Sequence, residues 1–501
     1  MALRYLSKIQ IGIGAVFLYV ESISSMLLGY AFWFILSRTT SADLIGVLSS
    51  LISLATIIAS IAGVGIALGS QRFLGRLFIE REIADAKVIV MASLIIVVVG
   101  IIICSSVILA FWAVIFIGYE YILVVLTVIL IASSTLSILF RHVIIATLET
   151  KKILIISIVS SGFKIFLTTI LASVDAGVFE IMVAFASTPI LATVIFAISI
   201  FSLLSRTQPQ QKSSIKLMHS FKMLLSASIV NWIPSFIDVI GSQMGTIIVL
   251  GIQGSAQAGF YFIAFQITVG ISAAIWALEG VTYPALSTMQ ERRKLFLWRV
   301  IKISLIIVLP LSNSIIFYSK DIMHIFGYEY GEASDSLEIL LLSVLPTAVT
   351  AGLTILEYSY GNYKYVLFIG LSTSIPRLVF YFILIPWYGE AGAAASYTIG
   401  SVIGFIVSIY LARRFNMTMA WRDLGLIFVI PLIFAFIISN LHIHFIISLI
   451  LSVVVSYLFL LKFGIITRND VQDSLTIFPV NLSNPLIRTI NGIASKLNKR
   501  Y

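Results

Sequence analysis

Long apolar runs recur from one end of this chain to the other, and they constrain its fold more than any other feature. Of its 501 residues, 60% are hydrophobic and only 11% are charged, whereas about a quarter of the residues of a soluble domain are charged. A run of about 18 or more apolar residues can cross a bilayer as a helix. Because the runs are uniformly apolar rather than alternating, they argue against a membrane barrel of strands. The predicted fold class is an all-α polytopic membrane protein.

The runs predict about fourteen transmembrane helices. They lie near residues 11–36, 44–70, 88–117, 121–148, 153–174, 177–204, 222–250, 258–288, 299–319, 335–360, 364–386, 391–413, 423–440 and 443–462.

The basic residues predict the orientation of these helices. When the N terminus is placed inside, all of the 32 Lys and Arg residues fall in cytoplasmic segments except Arg38, Lys320, Lys164 and Arg377. Cytoplasmic loops carry such an excess of basic residues. Both termini are therefore predicted to be cytoplasmic. The net charge of +10 is assigned to membrane orientation and contact with anionic lipids, and not to nucleic-acid binding.

The two halves of the chain repeat each other at an offset of about 213 residues. TSADLIGVL (40–48) matches QGSAQAGFYF (253–262), with Gly46 on Gly259. Because each half holds six predicted helices, the two copies share one orientation in the membrane. The sequence predicts two pseudo-symmetric lobes around a central cavity. The predicted domains are a first six-helix lobe at 1–208, a second at 209–414, two extra helices at 415–466, and a cytoplasmic tail at 467–501 with the pattern of an interfacial amphipathic helix.

Two basic residues, Lys164 and Arg377, fall in the middle of predicted spans. A charge at that depth costs at least a few kcal/mol, so it faces protein or water and marks a pathway. The two positions are related by the repeat offset, with SSGFK (160–164) on TSIPR (373–377). Each cation follows hydroxyl residues three and four positions earlier, on the same helix face. These hydroxyl residues, predicted to line the cavity, are Ser160, Ser161, Thr373 and Ser374.

Across a shared cavity the two cations predict a site for an anionic group such as a phosphate or diphosphate. Arg141, about two turns inside its span, is expected to join them. The alternative interpretation is that these cations pair with buried carboxylates and hold helices together.

Intramembrane acids supply further candidates. Glu21 and Asp238 lie in equivalent spans and are predicted either to bind a coupling ion or proton, or to act as counter-ions to Lys164 or Arg377. Glu279 and Glu357 are expected to be gate residues or partners in interface salt bridges. Asn231 and Ser235 share a helical stripe with Asp238 and are predicted to be part of a polar cavity face.

No nucleotide-binding loop, dinucleotide fingerprint or paired metal motif occurs in the sequence. The sequence therefore predicts no cofactor, no metal and no enzymatic activity. The short outer loops argue against a membrane glycosyltransferase or glycan polymerase.

Several segments resemble the Wzx-type polysaccharide flippases of the multidrug/oligosaccharidyl-lipid/polysaccharide (MOP) exporter superfamily. The more specific one is IPWYGEAGAA (385–394), within LIPWYGEAGAAASYTIGSVIGFIVSIYLARR (384–414). FGYEYGEASDSLEILLLSVLPTAVTAGLTILEYSYGNYKY (326–365) and SRTTSADLIGVLSSLISLATIIASIAGVGIALGSQRFLGR (37–76) are similar to the same family, as is the echo at 258–289. The resemblance runs from about residue 10 to about residue 460.

The resemblance implies two six-helix lobes with two more helices, in the cell membrane. It implies movement of a polyprenyl-diphosphate-linked oligosaccharide from the cytoplasmic to the outer leaflet by alternating access. Family cavities are typically cationic, which fits Lys164, Arg377 and Arg141. The implied partners are that substrate, membrane lipids and glycan-assembly machinery, and the expected transport unit is a monomer.

Three alternatives remain open at this stage. A cation-coupled multidrug exporter of the same superfamily would need an anionic cavity, and the pair Lys164 and Arg377 counts against it. A peptidoglycan-precursor flippase shares the mechanism. A membrane glycan polymerase is disfavoured by the short outer loops.

Overall fold

Helices make up all of the regular structure in the part of the chain that the computed structural model describes. The described residues are 2–80, 82–111, 120–172, 174, 176–205, 215–289, 292–414, 417, 419–441 and 443–466. The predicted interfacial helix in the tail at 467–501 lies outside them.

The described chain divides into two compact units, the N-terminal unit (1–262) and the C-terminal unit (263–501). The predicted lobe boundary at 208/209 stays a prediction. The helices of the N-terminal unit are α1 (Ala2–Thr39), α2 (Ala42–Gly63), α3 (Ile66–Ile79), α4 (Ile83–Ala110), α5 (Tyr121–Ala146), α6 (Thr150–Ala172), α7 (Val178–Leu204), α8 (Leu217–Gln253) and the first part of α9 (Ser255–Thr288).

The C-terminal unit contains the rest of α9 and the helices that follow it. These helices are α10 (Arg293–Ile316), α11 (Ser319–Phe326), α12 (Ser334–Leu341), α13 (Val344–Ser359), α14 (Tyr363–Arg414), α15 (Trp421–Ser439) and α16 (Phe445–Lys462). A 3₁₀-helix at Tyr328–Ala333 lies between α11 and α12.

Twelve helices of the described chain are long and apolar enough to cross a membrane. The pair Tyr328–Leu341 and Val344–Ser359, bent by 40° at its break, brings the number to thirteen if it is counted as one span. The 52-residue α14 would be about 78 Å long if straight, more than twice a ~30 Å hydrocarbon core. It breaks at Gly389, where φ is 56° and ψ is −132°. Counting α14 as two spans confirms the predicted all-α fold with about fourteen transmembrane helices. The cytoplasmic location of both termini stays a prediction.

The predicted span at 44–70 was too long. Ser41 caps α2 by accepting the Leu44 N–H at 3.4 Å, and the helix ends at Gly63, where Val64 and Gly65 adopt positive φ values of 43° and 65°. A Cβ at Gly65 would lie 2.8 Å from Cβ of Trp232 on α8. The helix breaks where α8 approaches closely, which an apolar sequence pattern does not reveal.

Within the N-terminal unit, α1 packs on α6, α5 packs on α7, and α2 packs on α8. The helices α2 and α9 cross at the two glycines that the repeat had aligned. A Cβ at Gly46 would overlap the carbonyl oxygen of Ser255, and a Cβ at Gly259 would overlap that of Ala42. The hydroxyl of Ser255 also donates a hydrogen bond to the Asp43 carboxylate. Only residues without a side chain permit so close an approach of the two backbones.

Within the C-terminal unit, α13 and α12 pack on α14, while α10 packs on α13, α15 and α16. Polar contacts connect the last two helices to α10. The Asn313 amide donates to the Phe428 carbonyl at 2.8 Å, and the hydroxyls of Ser314 and Ser452 lie 2.6 Å apart. The two helices predicted as extra are thus an integral part of this unit.

Candidate functional site

A cavity of about 370 Å³ lies inside the N-terminal unit, between α1, α2, α5, α6 and α7. Its volume is at the lower end of the range typical of small-molecule sites. We call it the Lys164 cavity. Its polar lining consists of two basic residues, Arg141 and Lys164, and of the hydroxyl residues Ser25, Thr56, Ser134, Ser137, Ser157, Ser160, Ser161 and Thr188.

The ammonium group of Lys164 is held by aromatic rings. The residue is 8% exposed, and its Nζ lies 4.5 Å from the ring centroid of Phe32 on α1 and 5.1 Å from that of Phe185 on α7. Both distances are within the range of cation–π attraction. No carboxylate among the described residues forms an ion pair with this ammonium. Within the described chain, its charge is therefore buried without a compensating acid.

One helical turn earlier, α6 presents Ser160 and Ser161 to the same cavity. Ser160 is 0% exposed, and within the described chain its hydroxyl has no hydrogen-bond partner. The Thr188 hydroxyl donates to the backbone carbonyl of Ser160 at 3.4 Å. A buried hydroxyl without a partner costs about 1–3 kcal/mol, so this position is suited to a bound water or ligand.

Arg141 is neutralised by Glu21. Its Nη2 lies 2.7 Å from Oε2 of Glu21, and the Ser157 hydroxyl donates to Oε1 of the same carboxylate at 2.9 Å. The structure thus makes Glu21, which is 6% exposed, the counter-ion of Arg141 rather than of Lys164. The predicted roles of Arg141 in anion binding and of Glu21 in ion coupling stay predictions.

Arg377 lies in the first half of α14 and is 3% exposed. Its Nη2 donates to the Ser401 hydroxyl at 2.9 Å, and its guanidinium carbon lies 3.9 Å from the ring centroid of Tyr397. Both partners come from the half of α14 that follows the break. A Cβ at Gly400 would overlap Cγ of Arg377, so a glycine is needed for the two halves to pack. Thr373 and Ser374 are also buried.

The polar stripe predicted on α8 is largely open in the structure. Asp238 and Ser235 are exposed and Asn231 is half-buried. The Ser235 hydroxyl donates to the Asn231 carbonyl at 3.1 Å. The role of this stripe as a cavity face stays a prediction.

Of the two predicted gate residues, Glu357 is 2% exposed. Its Oε2 accepts from the Asn362 side-chain amide at 2.9 Å, just beyond the end of α13. No basic residue of the described chain pairs with it. The side chain of Glu279 lies outside the described part, and the gate role of both acids stays a prediction. The described residues contain no cluster of three or more metal-binding side chains.

The aromatic partners of the two cations were missed in the sequence. Phe185 follows Lys164, and Tyr397 follows Arg377, by about twenty residues in each case. Comparing the aromatic residues of the two repeats would have found this pair. Phe32 is distant in sequence and gives no such signal.

Comparison by sequence finds no relative: no protein-family model matches this chain, and no curated protein matches it either.

Comparison by structure does find relatives. The lipid II flippase MurJ in an inward closed conformation superposes with a TM-score of 0.66 and 17% identity, over 90% of this chain and 98% of that one. An inward-facing multidrug resistance MATE family transporter of the MOP superfamily superposes with a TM-score of 0.62 and 18% identity, over 78% of this chain and 94% of that one. A third structure is a MOP superfamily transporter from Pyrococcus furiosus, described as having a binding pocket of reverse polarity. It superposes with a TM-score of 0.59 and 16% identity, over 81% of this chain and 94% of that one. The chain therefore has the fold of the MOP superfamily transporters.

Proposed function

We propose that this chain is a flippase of the cell membrane that moves a polyprenyl-diphosphate-linked oligosaccharide from the cytoplasmic to the outer leaflet by alternating access. The observation that carries this proposal is the buried ammonium of Lys164, which lines a hydroxyl-rich cavity and has no acidic partner in the described chain. A cation kept in this state at membrane depth is costly unless an anion binds to it.

The chemistry of such a substrate suits this site. Its polar head is anionic and rich in hydroxyl groups, and it is complementary to a cavity that is cationic and rich in hydroxyl groups. Its hydrocarbon tail stays in the bilayer. Moving an anion outward across an inside-negative membrane releases about 2.3 kcal/mol per charge per 100 mV. Membrane lipids and glycan-assembly machinery are the partners proposed with this function, and the proposed transport unit is a monomer.

A peptidoglycan-precursor flippase is the second candidate. One observation favours it: the superposition on MurJ covers 90% of this chain, whereas that on the MATE family transporter covers 78%. A cation-coupled multidrug exporter is less well supported, because the acid nearest the Lys164 cavity, Glu21, is already paired with Arg141. A membrane glycan polymerase has no support in the geometry.

The test is a flipping assay in proteoliposomes with a fluorescent polyprenyl-diphosphate disaccharide that ends in glucuronate. We expect Lys164→Ala to lower the flipping rate by about tenfold or more, because one charged contact is worth about 1.5–3 kcal/mol. Lys164→Arg should retain part of the activity. The matched control is Lys151→Ala, which removes an exposed charge from the same helix and should leave the rate unchanged.

A wild-type protein that does not flip this lipid would refute the proposed function. Full activity of Lys164→Ala at equal reconstitution would refute the role of the ammonium.

A further inference from the structure

The Lys164 cavity holds one positive charge that nothing in the described chain compensates. Its two cations are not equivalent. Arg141 forms an ion pair with Glu21 at 2.7 Å, whereas Lys164 lies against the rings of Phe32 and Phe185 and forms no ion pair with a described carboxylate. None of the described residues that line the cavity is acidic. A ligand that balances this charge carries one negative charge.

The rest of the lining also indicates what the ligand is. A diphosphate carries several charges and only accepts hydrogen bonds, and it is best bound by free arginine forks and backbone N–H groups. The arginine of this cavity is already occupied. Serine and threonine hydroxyls both donate and accept hydrogen bonds, and this suits the hydroxyls of a sugar ring.

Ser160 indicates which anionic ligand fits the cavity. Its hydroxyl is completely buried and lacks a partner in the described chain, and it lies on the same helix face as Lys164, one turn away. A ligand that bridges the two residues presents an anionic group to the ammonium and a hydroxyl to the serine. A sugar acid carries both groups on one ring.

We infer that the Lys164 cavity binds one acidic sugar of the transported glycan, with its carboxylate on the Lys164 ammonium and a ring hydroxyl on Ser160, and that the diphosphate is bound elsewhere. The identity of the molecule that carries this sugar rests on the proposed function, whereas the binding of a sugar carboxylate in the cavity does not depend on that function. A volume of about 370 Å³ is that of about twelve liquid water molecules, and this is enough for a single sugar ring.

The transport experiment compares two lipids that differ in one group. Both are fluorescent polyprenyl-diphosphate disaccharides, one ending in glucuronate and the other in glucose. In proteoliposomes, wild-type protein and the Lys151→Ala control should flip the acidic lipid at a lower half-saturating concentration than the neutral lipid. Lys164→Ala should lose about tenfold for the acidic lipid and change less than about twofold for the neutral one.

An equal loss for both lipids in Lys164→Ala would overturn the inference, because the ammonium would then contact the diphosphate that they share. Equal half-saturation of the two lipids by the wild type would also overturn it.

A binding measurement separates this inference from the proposed function. Purified protein in detergent is heated with free glucuronate, glucose or inorganic phosphate at matched ionic strength, since a ligand that binds the folded state raises the unfolding temperature. Glucuronate should raise it most in the wild type, and its advantage over glucose should vanish in Lys164→Ala and shrink in Ser160→Ala. If phosphate stabilises the wild type as well as glucuronate does, the site is a general anion site and the inference fails. If glucuronate binds in this way but neither lipid is flipped, the proposed function fails and the sugar-acid site stands.

Discussion

Lys164 and Arg377 occupy matching positions of the repeat, but their surroundings differ. Each cation is buried and lies against an aromatic ring that follows it by about twenty residues. Lys164 lines a cavity, and its ammonium forms no ion pair with a described carboxylate. Arg377 donates to the Ser401 hydroxyl and stacks 3.9 Å from the Tyr397 ring centroid. Lys164 has space beside it for a ligand, whereas Arg377 is part of a helix–helix contact.

Glycines permit the close contact around Arg377. In the C-terminal unit, a Cβ at Gly400 would overlap Arg377, and a Cβ at Gly404 would overlap the hydroxyl of Thr373. The corresponding positions of the first repeat hold Ser187 and Leu191. Larger side chains hold helices further apart, whereas glycines let them pack closely. The comparison teaches that the same buried cation can be a binding group or a packing group, depending on the neighbouring helix.

The largest effect is expected where packing is tightest. In Gly400→Ala the new Cβ would also lie 2.5 Å from the Thr373 carbonyl oxygen, which is backbone and cannot rotate away. We expect the free energy of unfolding to fall by about 3 kcal/mol or more. The measurement is SDS-induced unfolding in mixed micelles, followed by circular dichroism. Gly425→Ala is the control, because a Cβ there meets nothing within 4 Å, and it should be neutral or slightly stabilising. Similar stability of the two variants would show that the halves of α14 are not closely packed.

Removing either cation should change the free energy of unfolding by a smaller amount, and the two removals should differ in their effect. Arg377→Met should lower the free energy of unfolding by about 2 kcal/mol, because the Ser401 hydrogen bond and the stacking on Tyr397 are lost. Lys164→Met should leave stability unchanged or raise it, since it removes a buried charge without a compensating acid. Both are measured in the same micelle titration. If Lys164→Met destabilises the protein as much as Arg377→Met does, then Lys164 is also a packing group and the contrast fails.

The smallest effect concerns the ion pair beside the cavity. A double-mutant cycle with Glu21→Gln and Arg141→Met should give a coupling free energy of about 1 kcal/mol, kept small because the Arg141 side chain is 32% exposed. The four unfolding free energies of the cycle supply it. Strict additivity of the two single changes would mean that the pair does not neutralise Arg141, and the charge balance of the cavity would need revision.

Much of the helical architecture could be predicted, because the length of an apolar run is a local property of the sequence. The helix boundaries near Gly389 follow from a Pro- and Gly-containing segment of the sequence. The break at Val64 and Gly65 is harder to predict, because Gly63 and Gly65 permit it but the close approach of Trp232 on α8 is not visible in the sequence. The pattern of apolar residues predicts where a helix lies in the sequence, but not which other helix packs against it.

The site divides in the same way. The repeat identified Lys164 and Arg377 as a pair, and the adjacent hydroxyls came with them. The partner of Glu21 could not be identified, because Arg141 is distant in sequence and reaches the Glu21 carboxylate only in the folded chain. Three cations and one acid admit several pairings in a sequence, and only the fold selects among them.

The glycine crossing of α2 and α9 has a further consequence. In a symmetric dimer, the residues beside the two-fold axis are the ones that touch their own copies, which is the property of an isologous interface. Gly46 and Gly259 are counterparts in the repeat, and a Cβ on Gly46 would lie 2.9 Å from the backbone nitrogen of Gly259. The crossing therefore has the form of a homodimer contact whose two sides belong to a single polypeptide. A substitution at either glycine disturbs both sides at once.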